Sequence, residues 1–304
     1  TKLFNKNLDN PIGMAAGFDK NAEVYNSLFK LGFGFVEVGT ITPLKQFGNP
    51  KPRVFRLVED QALINRLGFN NLGATNVLDR IKSNSQTGLL GINIGPNKIT
   101  DNKLNDYVEC LKNFYEVADY ITINISSPNT EDLRSFHEQT KLSELLEIIN
   151  KEKKILNSKI PIAVKISPDI NDKEINMICE VLISNNIEVV IVSNTSDSTR
   201  ENLSNIQGHQ KGGLSGKPIE KKSTKLINKF YKILKGRIKI IGVGGVDSGE
   251  SAYKKFLAGA NYIQLYTGMV FRGPNIVHMI KKELSELLIK DGVKNYREII
   301  GKNG

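Results

Sequence analysis

Four polar side chains lie within six residues of one another, on Asn124, Ser126, Ser127 and Asn129. They come at the end of residues 118–123, a run of apolar and β-branched side chains that predicts a buried strand. Pro128 prevents that strand from continuing, so the polar groups gather at its exit. Alone, such a stretch would be interpreted as a Ser- and Asn-rich loop. Carboxamides and hydroxyls at a strand exit can also bind a polar substrate, and the rest of the chain favours that interpretation.

Polar or glycine residues follow most of the predicted strands, at Lys20, Thr40, Asn93, Asn124, Ser193 with Asn194, Gly244 with Gly245, and Tyr266 with Thr267. The strands themselves are short apolar runs at 11–16, 33–39, 89–94, 118–123, 160–166, 187–192, 238–243 and 261–265. Eight strands alternating with helices predict one closed (β/α)8 barrel over residues 1–304, with a doubly wound open sheet as the alternative. In such a barrel the strands' carboxyl ends share the face that holds active sites.

The segments between the strands predict the remaining elements. Helical spacing of apolar residues indicates helices at about 22–31, 74–81, 104–117, 142–149, 172–184, 219–234, 248–258 and 276–288. Asp172 is placed to cap the fifth helix, and Asp247 or Ser248 the seventh. A Pro- and Gly-punctuated excursion at 42–53, followed by residues 54–56, predicts a small hairpin beside the active-site face. Residues 196–213 are predicted to form a polar loop.

Composition places the chain among globular proteins. Of its 304 residues, 39% are hydrophobic and 24% charged, and no run of about 18 apolar residues predicts a transmembrane helix. The net charge of +10 raises the question of nucleic-acid binding. However, the lysines at 151–154 and 221–222 fall on predicted helix exteriors, and there is no Trp for base stacking. A solvated basic surface is favoured over attraction to anionic lipid or substrate, and no nucleic-acid partner is predicted.

The cysteines and histidines argue against a metal site and against histidine catalysis. Cys110 and Cys179 fall in predicted helices without metal-ligand spacing, so they are expected to be buried thiols in a reducing compartment. His137, His209 and His278 do not lie at strand ends. Each is predicted to be a surface or loop residue, which disfavours a histidine-based acid–base mechanism.

Two further features indicate an anionic ligand. Gly244 and Gly245 follow the seventh strand, and Tyr266 and Thr267 follow the eighth, which is the usual phosphate position in these barrels. Lys165 lies inside an apolar strand, where its charge is costly unless an anion or an electron-rich cofactor uses it. No Gly-x-Gly-x-x-Gly or phosphate-loop motif occurs, so the usual signatures for nicotinamide dinucleotides and ATP are missing.

Six longer motifs occur in order along the chain. They are Ala-Ala-Gly-Phe-Asp-Lys-Asn at 15–21, Val-Gly-Thr-Ile-Thr-Pro at 38–43, Asn-Arg-Leu-Gly-Phe-Asn at 65–70, Asn-Ile-Ser-Ser-Pro-Asn-Thr at 124–130, Gly-Leu-Ser-Gly at 213–216 and Gly-Val-Gly-Gly at 242–245. Together they resemble the dihydroorotate dehydrogenase family in its class 2, quinone-linked form, from about Phe4 to the end. Ser127 stands where the soluble class 1 enzymes have Cys, which favours class 2.

The resemblance implies an FMN-dependent oxidation of (S)-dihydroorotate to orotate in de novo pyrimidine biosynthesis, with a membrane quinone as final acceptor. By motif matching, the FMN-binding residues are Ala16, Gly17, Lys20, Thr40, Asn93, Asn124, Lys165, Ser193, Gly216, Gly244, Gly245, Tyr266 and Thr267. The implied substrate-binding residues are Lys20, Asn65, Arg66, Leu67, Gly68, Phe69, Asn124, Asn129, Asn194 and Thr195. A planar diamide with a carboxylate needs several carboxamide partners and a cation, and this set provides both.

The resemblance also implies roles in the reaction. Ser127 takes the proton from C5 of the substrate while hydride leaves C6 for the flavin. A free serine is a poor base, so it needs a partner or a water relay, to which Thr130 and Phe69 correspond in the family. Lys165 stabilises the negative charge of the reduced ring. Arg56 and Tyr266 correspond to positions that line the quinone tunnel.

Three departures from the family pattern stand out. Glu131 and Asp132 replace the usual Pro-Gly in the loop expected to cover the substrate, and Pro96 stands where Lys is common. The amino-terminal helical segment that brings class 2 enzymes to the membrane is missing from this chain. The protein is therefore expected to be peripheral on a membrane, the bacterial cytoplasmic membrane or the mitochondrial inner membrane, through a segment outside this sequence. It is also expected to be a monomer.

Two alternatives remain open at this stage. One is another FMN barrel with a soluble acceptor, against which Ser127 argues. The other is a non-catalytic, anion-binding barrel.

Overall fold

The computed structural model describes residues 1–4, 6–130, 133–198 and 200–303. Its strands are β1 (Lys2–Leu3), β2 (Lys6–Asn7), β3 (Ile12–Met14), β4 (Phe35–Ile41), β5 (Val54–Leu57), β6 (Ala62–Asn65), β7 (Leu89–Ile94), β8 (Tyr120–Asn124), β9 (Ile162–Ile166), β10 (Val189–Val192), β11 (Gly213–Gly216), β12 (Lys239–Val243) and β13 (Tyr262–Leu265). Eight of them form a closed barrel in the order β10-β12-β13-β3-β4-β7-β8-β9. Parallel pairing of β13 with β3 closes the ring, with Leu265 opposite Met14. The predicted barrel is confirmed, and an open sheet is excluded.

The helices are α1 (Tyr25–Lys30), α2 (Ala74–Lys82), α3 (Lys103–Phe114), α4 (Gln139–Ile155), α5 (Asp172–Ser184), α6 (Glu220–Leu234), α7 (Gly249–Leu257), α8 (Thr267–Arg272) and α9 (Ile276–Lys290). Short 3-10 turns cover 133–137, 206–209, 217–219 and 296–299. Apolar faces of the long helices pack on the barrel and form the main core. Cys110 and Cys179 are buried free thiols within that layer, as predicted. None of these helices is long and apolar enough to cross a bilayer.

The predicted cap of α5 is wrong by one residue. Asn171, not Asp172, has an extended backbone, and its side chain accepts the Glu174 N–H at 3.0 Å. The Glu174 carboxylate accepts the Asn171 N–H at 2.7 Å, which completes a capping box. The cap of α7 is Ser248, one of the two predicted candidates. Adjacent Asn and Asp have nearly equal capping tendencies, so sequence alone could not choose between Asn171 and Asp172.

The amino-terminal hairpin of β1 and β2 covers the bottom of the barrel. The rings of Phe4 and Tyr120 lie 5.0 Å apart between centroids, and the Tyr262 hydroxyl donates to the Lys2 carbonyl. These aromatic side chains fill the barrel interior at the amino ends of its strands together with other buried apolar residues. These side chains close the barrel interior at the amino ends of its strands.

A three-stranded antiparallel sheet lies beside the opposite end of the barrel. The hairpin of β5 and β6 was predicted in part, but the third strand, β11, which begins at the end of the predicted polar loop 196–213, was not. Leu214 of β11 pairs with Ile64 of β6, and both are buried in a small apolar cluster. The sequence Gly-Leu-Ser-Gly has little β propensity, so β11 depends on this pairing for its strand conformation.

His137 lies in the predicted connection between β8 and α4 but is buried, so it is not a surface residue. It lies in the 3-10 turn at 133–137, where its Nε2 accepts the Ser167 N–H at 3.1 Å and its Nδ1 lies 3.0 Å from the Arg134 carbonyl. These two partners require a neutral imidazole with the proton on Nδ1. His209 and His278 are exposed.

The pKa of His137 lies below its ordinary value of 6.5 because burial disfavours the charged ring. The unfolded chain therefore binds this proton more readily, and stability should fall as pH drops through about 6.5 toward the folded-state pKa. We expect the urea midpoint to decline from pH 7.5 to 5.5, and to decline less in His137→Gln. The exposed His278→Gln variant is the control. An equally steep decline in His137→Gln would contradict this account.

Candidate active site

One large cavity opens at the carboxyl ends of the barrel strands and beneath the three-stranded sheet. Its empty volume is about 1060 Å³ including the mouth, which suits a sizeable organic ligand. Twelve of the residues predicted to bind FMN line it: Ala16, Gly17, Lys20, Thr40, Asn124, Lys165, Ser193, Gly216, Gly244, Gly245, Tyr266 and Thr267. Ser127 lines it too, with Asn65, Leu67, Gly68, Phe69, Asn129, Asn194 and Thr195 from the predicted substrate set.

Four predicted site residues lie outside the cavity wall. Asn93 is buried behind Thr40, and Thr130 is buried with its carbonyl accepting the Leu133 N–H at 3.3 Å. Arg66 turns away from the cavity and donates to the Gln210 side chain at 3.1 Å and to the Lys211 carbonyl at 3.0 Å. Arg56 is exposed, with its guanidinium carbon 5.7 Å from the centre of the Phe271 ring.

A buried carboxylate, Glu37, begins a chain of oriented amides below the cavity. Its Oε1 accepts the Asn93 amide at 2.8 Å, and its Oε2 accepts the Tyr120 hydroxyl at 2.9 Å and the Gln264 amide at 3.0 Å. Because the Asn93 amino group faces Glu37, its Oδ1 faces upward and accepts the Thr40 hydroxyl at 2.6 Å. Glu37 thus fixes the orientation of a side chain one layer beneath the site.

The chain continues to the residues of the cavity wall. Asn124 donates from its amide to Thr40 Oγ1 at 2.9 Å, so its Oδ1 accepts the Ser126 hydroxyl at 2.9 Å. Asn194 then donates to Ser126 Oγ at 2.9 Å. Every carboxamide in this series is held in one orientation before any ligand arrives, which is the preorganisation that a polar substrate site requires.

Ser127 is bonded differently from its neighbour Ser126. Its Oγ accepts the Asn129 N–H at 3.2 Å, and among the described residues this is its only side-chain hydrogen bond. Asn129 is itself fixed by donation from its amide to the Asn65 carbonyl at 3.1 Å. Ser127 lines the cavity, is 5% exposed, and carries one backbone donor on its hydroxyl oxygen.

Two amines reach the cavity without a hydrogen-bond partner among the described residues, Lys20 and Lys165. Burial, and then the charges of Arg53 and Lys165, lower the pKa of Lys20 to about 8. Burial also lowers the pKa of Lys165, against which the charge of Glu37 acts. Two poorly solvated cations that face one cavity favour an anionic ligand there.

The turn after β12 exposes backbone to the same cavity. Gly244 and Gly245 have φ of 116° and 75°, a region that disfavours other residues. A Cβ on Gly245 would lie 2.6 Å from the Glu220 Cα, so a side chain cannot be accommodated. Close by, the hydroxyls of Ser215 and Thr267 are 2.8 Å apart. N–H groups at such a turn bind anions.

Phe69 lines the cavity and has an unfavourable backbone conformation. Its φ of 52° is left-handed, which costs a residue with a side chain about 1–3 kcal/mol. A side chain at position 95 would crowd the Phe69 ring, because a Cβ added to Gly95 would lie 3.0 Å from it. Such strain, retained at a cavity wall, is typical of functional sites.

Asp169 joins the loops around the cavity. Its carboxylate accepts the hydroxyls of Ser196 at 2.6 Å and Ser198 at 2.7 Å, and pairs with Arg134 at 3.2 Å and with Lys222. Burial alone would raise the pKa of Asp169, but hydrogen bonds from Asp197, Lys222, Ser196 and Ser198 hold it well below its ordinary range. Lys222, predicted on a helix exterior, is instead half-buried in this cluster.

Glu131 and Asp132, which replace the Pro-Gly of the family pattern, lie outside the described residues.

Fold and site together define a (β/α)8-barrel enzyme whose cavity combines a glycine turn, two lysine amines, oriented carboxamides and a serine hydroxyl. The family model described as Dihydroorotate dehydrogenase matches residues 1–288. The chain belongs to the dihydroorotate dehydrogenase family.

Individual relatives agree with this assignment. The "Dihydroorotate dehydrogenase (quinone)" of Bartonella tribocorum is 49% identical over 294 residues, covering 95% of this chain and 81% of the relative. The protein of the same description from Idiomarina loihiensis is 46% identical, covering 90% and 84%. The crystal structure of DHODH from Eimeria tenella in complex with ferulenol has a TM-score of 0.96 at 38% identity, and covers 99% of this chain and 87% of that one.

Sequence reasoning missed several residues that the structure places in or under the site, among them Glu37, Ser215 and Tyr107. Glu37 showed the same signal as Lys165, a charge within an apolar strand run, and could have been found by it. Ser215 lies within the Gly-Leu-Ser-Gly motif at 213–216, but its side chain was not predicted to take part in the site. The Tyr107 hydroxyl, which donates to the Asn124 carbonyl at 2.7 Å, carries no local signal. Their placement depends on contacts between segments distant in sequence.

Proposed function

We propose that this chain oxidises (S)-dihydroorotate to orotate with FMN as hydride acceptor and a quinone as final electron acceptor, in pyrimidine biosynthesis. The observation that carries this proposal is the meeting of a glycine anion turn, two amines and the Ser127 hydroxyl in one cavity. A quinone is proposed as the acceptor because this chain covers most of the length of relatives described as "Dihydroorotate dehydrogenase (quinone)".

The residues present fit FMN. The turn at Gly244 and Gly245 leaves room and N–H groups for a phosphate, because a Cβ there would meet α6. Lys165 offers an amine that finds no hydrogen-bond partner among the described residues. We assign to FMN the predicted residues of the cavity wall, with Asn93 acting from behind through Thr40. When bound, FMN supplies a ring that accepts the hydride leaving C6 of the substrate.

The chain's own residues supply the proton chemistry and the positioning. Ser127 gives up its own hydroxyl proton toward solvent, and its deprotonated Oγ accepts the C5 proton. The Asn129 N–H donates to the same oxygen and stabilises the negative charge that Oγ carries when deprotonated. Lys20 binds the substrate carboxylate, and Asn65, Asn124, Asn129 and Asn194 bind the planar diamide. Thr130 and Phe69 are proposed to line the water relay by which the proton leaves Ser127. Loss of one proton and one hydride converts the C5–C6 single bond into the double bond of orotate.

The quinone is proposed to approach beside Tyr266 and Arg56. Tyr266 lines the cavity, and burial raises the pKa of its hydroxyl. Arg56 lies across the Phe271 ring at the exposed side of the added sheet. Because a quinone is a lipid-phase acceptor, we propose that the protein works at a membrane surface.

The test separates the two half-reactions. A flavin absorption spectrum of the purified protein comes first. The enzyme is then reduced with dihydroorotate, and reoxidation is followed with a short-chain ubiquinone, fumarate and NAD in parallel. We expect the quinone to be fastest, and Arg56→Ala to slow only that step, with Lys51→Ala as an exposed control. Faster reoxidation by fumarate or NAD would overturn the quinone assignment.

A further inference from the structure

Lys255 is a fully buried amine that the reaction above does not use. It lies in α7, is 0% exposed, and donates from Nζ to Ser223 Oγ at 3.1 Å and to Thr224 Oγ1 at 3.2 Å. Among the described residues no carboxylate forms an ion pair with it; Glu220, the acid whose charge acts on it, pairs instead with Lys254 at 3.8 Å. A buried cation supported only by hydroxyls is costly unless an anion lies nearby.

The amine stands directly behind the turn after β12. Ser223, which accepts its hydrogen bond, donates in turn to the carbonyl of Val243, the residue before Gly244. A Cβ on Gly244 would lie 3.0 Å from the Ser223 Cβ, so Ser223 packs against the turn. The Lys255 Cδ would lie 3.4 Å from a Cβ on Gly242, on the same strand. One serine therefore separates the ammonium from the glycine turn.

The charge state of Lys255 is sensitive to an anion at that turn. Burial lowers the pKa of Lys255 to about 7, and the charge of Glu220 opposes this. An anion bound on the far side of the turn favours the protonated amine, and by linkage the protonated amine favours the anion. A role as a tether between α6 and α7 alone would not need a charge, because hydroxyls can be bridged by a neutral group.

We propose that Lys255 is a positioning residue of the phosphate site, a buried cation that strengthens binding of the cofactor's phosphate through Ser223 and the turn. This inference rests on the proposed function, since it assigns the Gly244 turn to the phosphate of FMN. It distinguishes the phosphorylated cofactor from its dephosphorylated form, riboflavin, which shares the ring and the ribityl chain.

The test compares FMN with riboflavin on flavin-depleted protein. Dissociation constants are measured by quenching of flavin fluorescence for the parent, Lys255→Met and the exposed neighbour Lys254→Met. We expect Lys255→Met to weaken FMN binding about tenfold or more and riboflavin binding by less than about twofold, because only FMN carries the charge. Lys254→Met should leave the ratio of the two constants unchanged.

Lys255→Met is expected to fold, because both hydroxyls that contact the amine have other hydrogen-bond partners. Ser223 still donates to the Val243 carbonyl, and Thr224 still donates to the Glu220 carbonyl at 2.8 Å. Inorganic phosphate provides a second measurement: it should raise the melting temperature of flavin-depleted parent protein, and raise it less in Lys255→Met. If that variant does not fold, Lys255→Gln replaces it in both measurements.

An FMN-to-riboflavin ratio and a phosphate effect unchanged in Lys255→Met would overturn the role of Lys255 while leaving the proposed function intact. A parent protein that binds neither flavin, or does not prefer FMN, would overturn the proposed function and this inference with it.

Discussion

Ser127→Ala is expected to slow reduction of the flavin by dihydroorotate about 10²–10⁴-fold, the usual contribution of a positioned base, while FMN stays bound. The neighbouring hydroxyl of Ser126 cannot substitute, because it donates to Asn124 and accepts from Asn194. Among the described residues, the Asn129 N–H is the one donor to the Ser127 oxygen, and it stabilises an alkoxide rather than competing with it. The rate is measured by stopped-flow absorbance after anaerobic mixing.

Ser127→Cys is the matched variant. A thiol has a reference pKa of about 8.5, far below that of an alcohol, so this variant should recover part of the rate with its pH dependence displaced downward. In the parent, the rate of reduction should rise between pH 6 and 9, because the acceptor must lose its proton. Near-parent reduction in Ser127→Ala, with a flat pH profile, would remove Ser127 from the mechanism.

The barrel could be predicted from sequence because its strands carry their own signal. Buried parallel strands are short continuous apolar runs, and the polar residues that follow them mark the carboxyl ends. Strand bounds differ by a few residues: the strand predicted at 33–39 runs from Phe35 to Ile41. Thr40 is therefore inside β4, yet it still faces the cavity.

What sequence could not predict depends on contacts between distant segments. β11 has a weak intrinsic preference and exists as a strand through β6. His137 is buried because the Ser167 N–H, on a different strand exit, bonds to its ring. Arg66 belongs to a motif of the cavity wall, but its side chain is drawn to the loop at 205–212. A residue's place in a motif fixes its backbone position and not the direction of its side chain.

The electrostatics of the cavity rest on a pair of opposite charges in the barrel. Glu37 is held by three donors below the site, and Lys165 stands at the cavity wall with no hydrogen-bond partner among the described residues. The charge of Glu37 raises the pKa of Lys165 against the effect of burial. Glu37 thus favours the protonated amine that a bound anion would meet.

Lys165→Met is expected to weaken FMN retention and to slow flavin reduction by about 10²–10³-fold, a typical loss when one preorganised charge is removed. The substitution keeps the length of the side chain, so it removes the charge with little change in packing. It also leaves the Glu37 charge uncompensated beneath the cavity, which further opposes negative charge on the ring. The midpoint potential of the bound flavin should therefore shift to more negative values.

The double variant Glu37→Gln with Lys165→Met tests the coupling directly. If the two charges act as a pair, adding Glu37→Gln to Lys165→Met should reverse part of the negative shift in midpoint potential and restore part of the rate. The effects of the two substitutions would then not be additive. The readouts are FMN content after gel filtration, the midpoint potential and the stopped-flow rate. Parent-like FMN content, potential and rate in Lys165→Met would mean that this lysine has a structural role only.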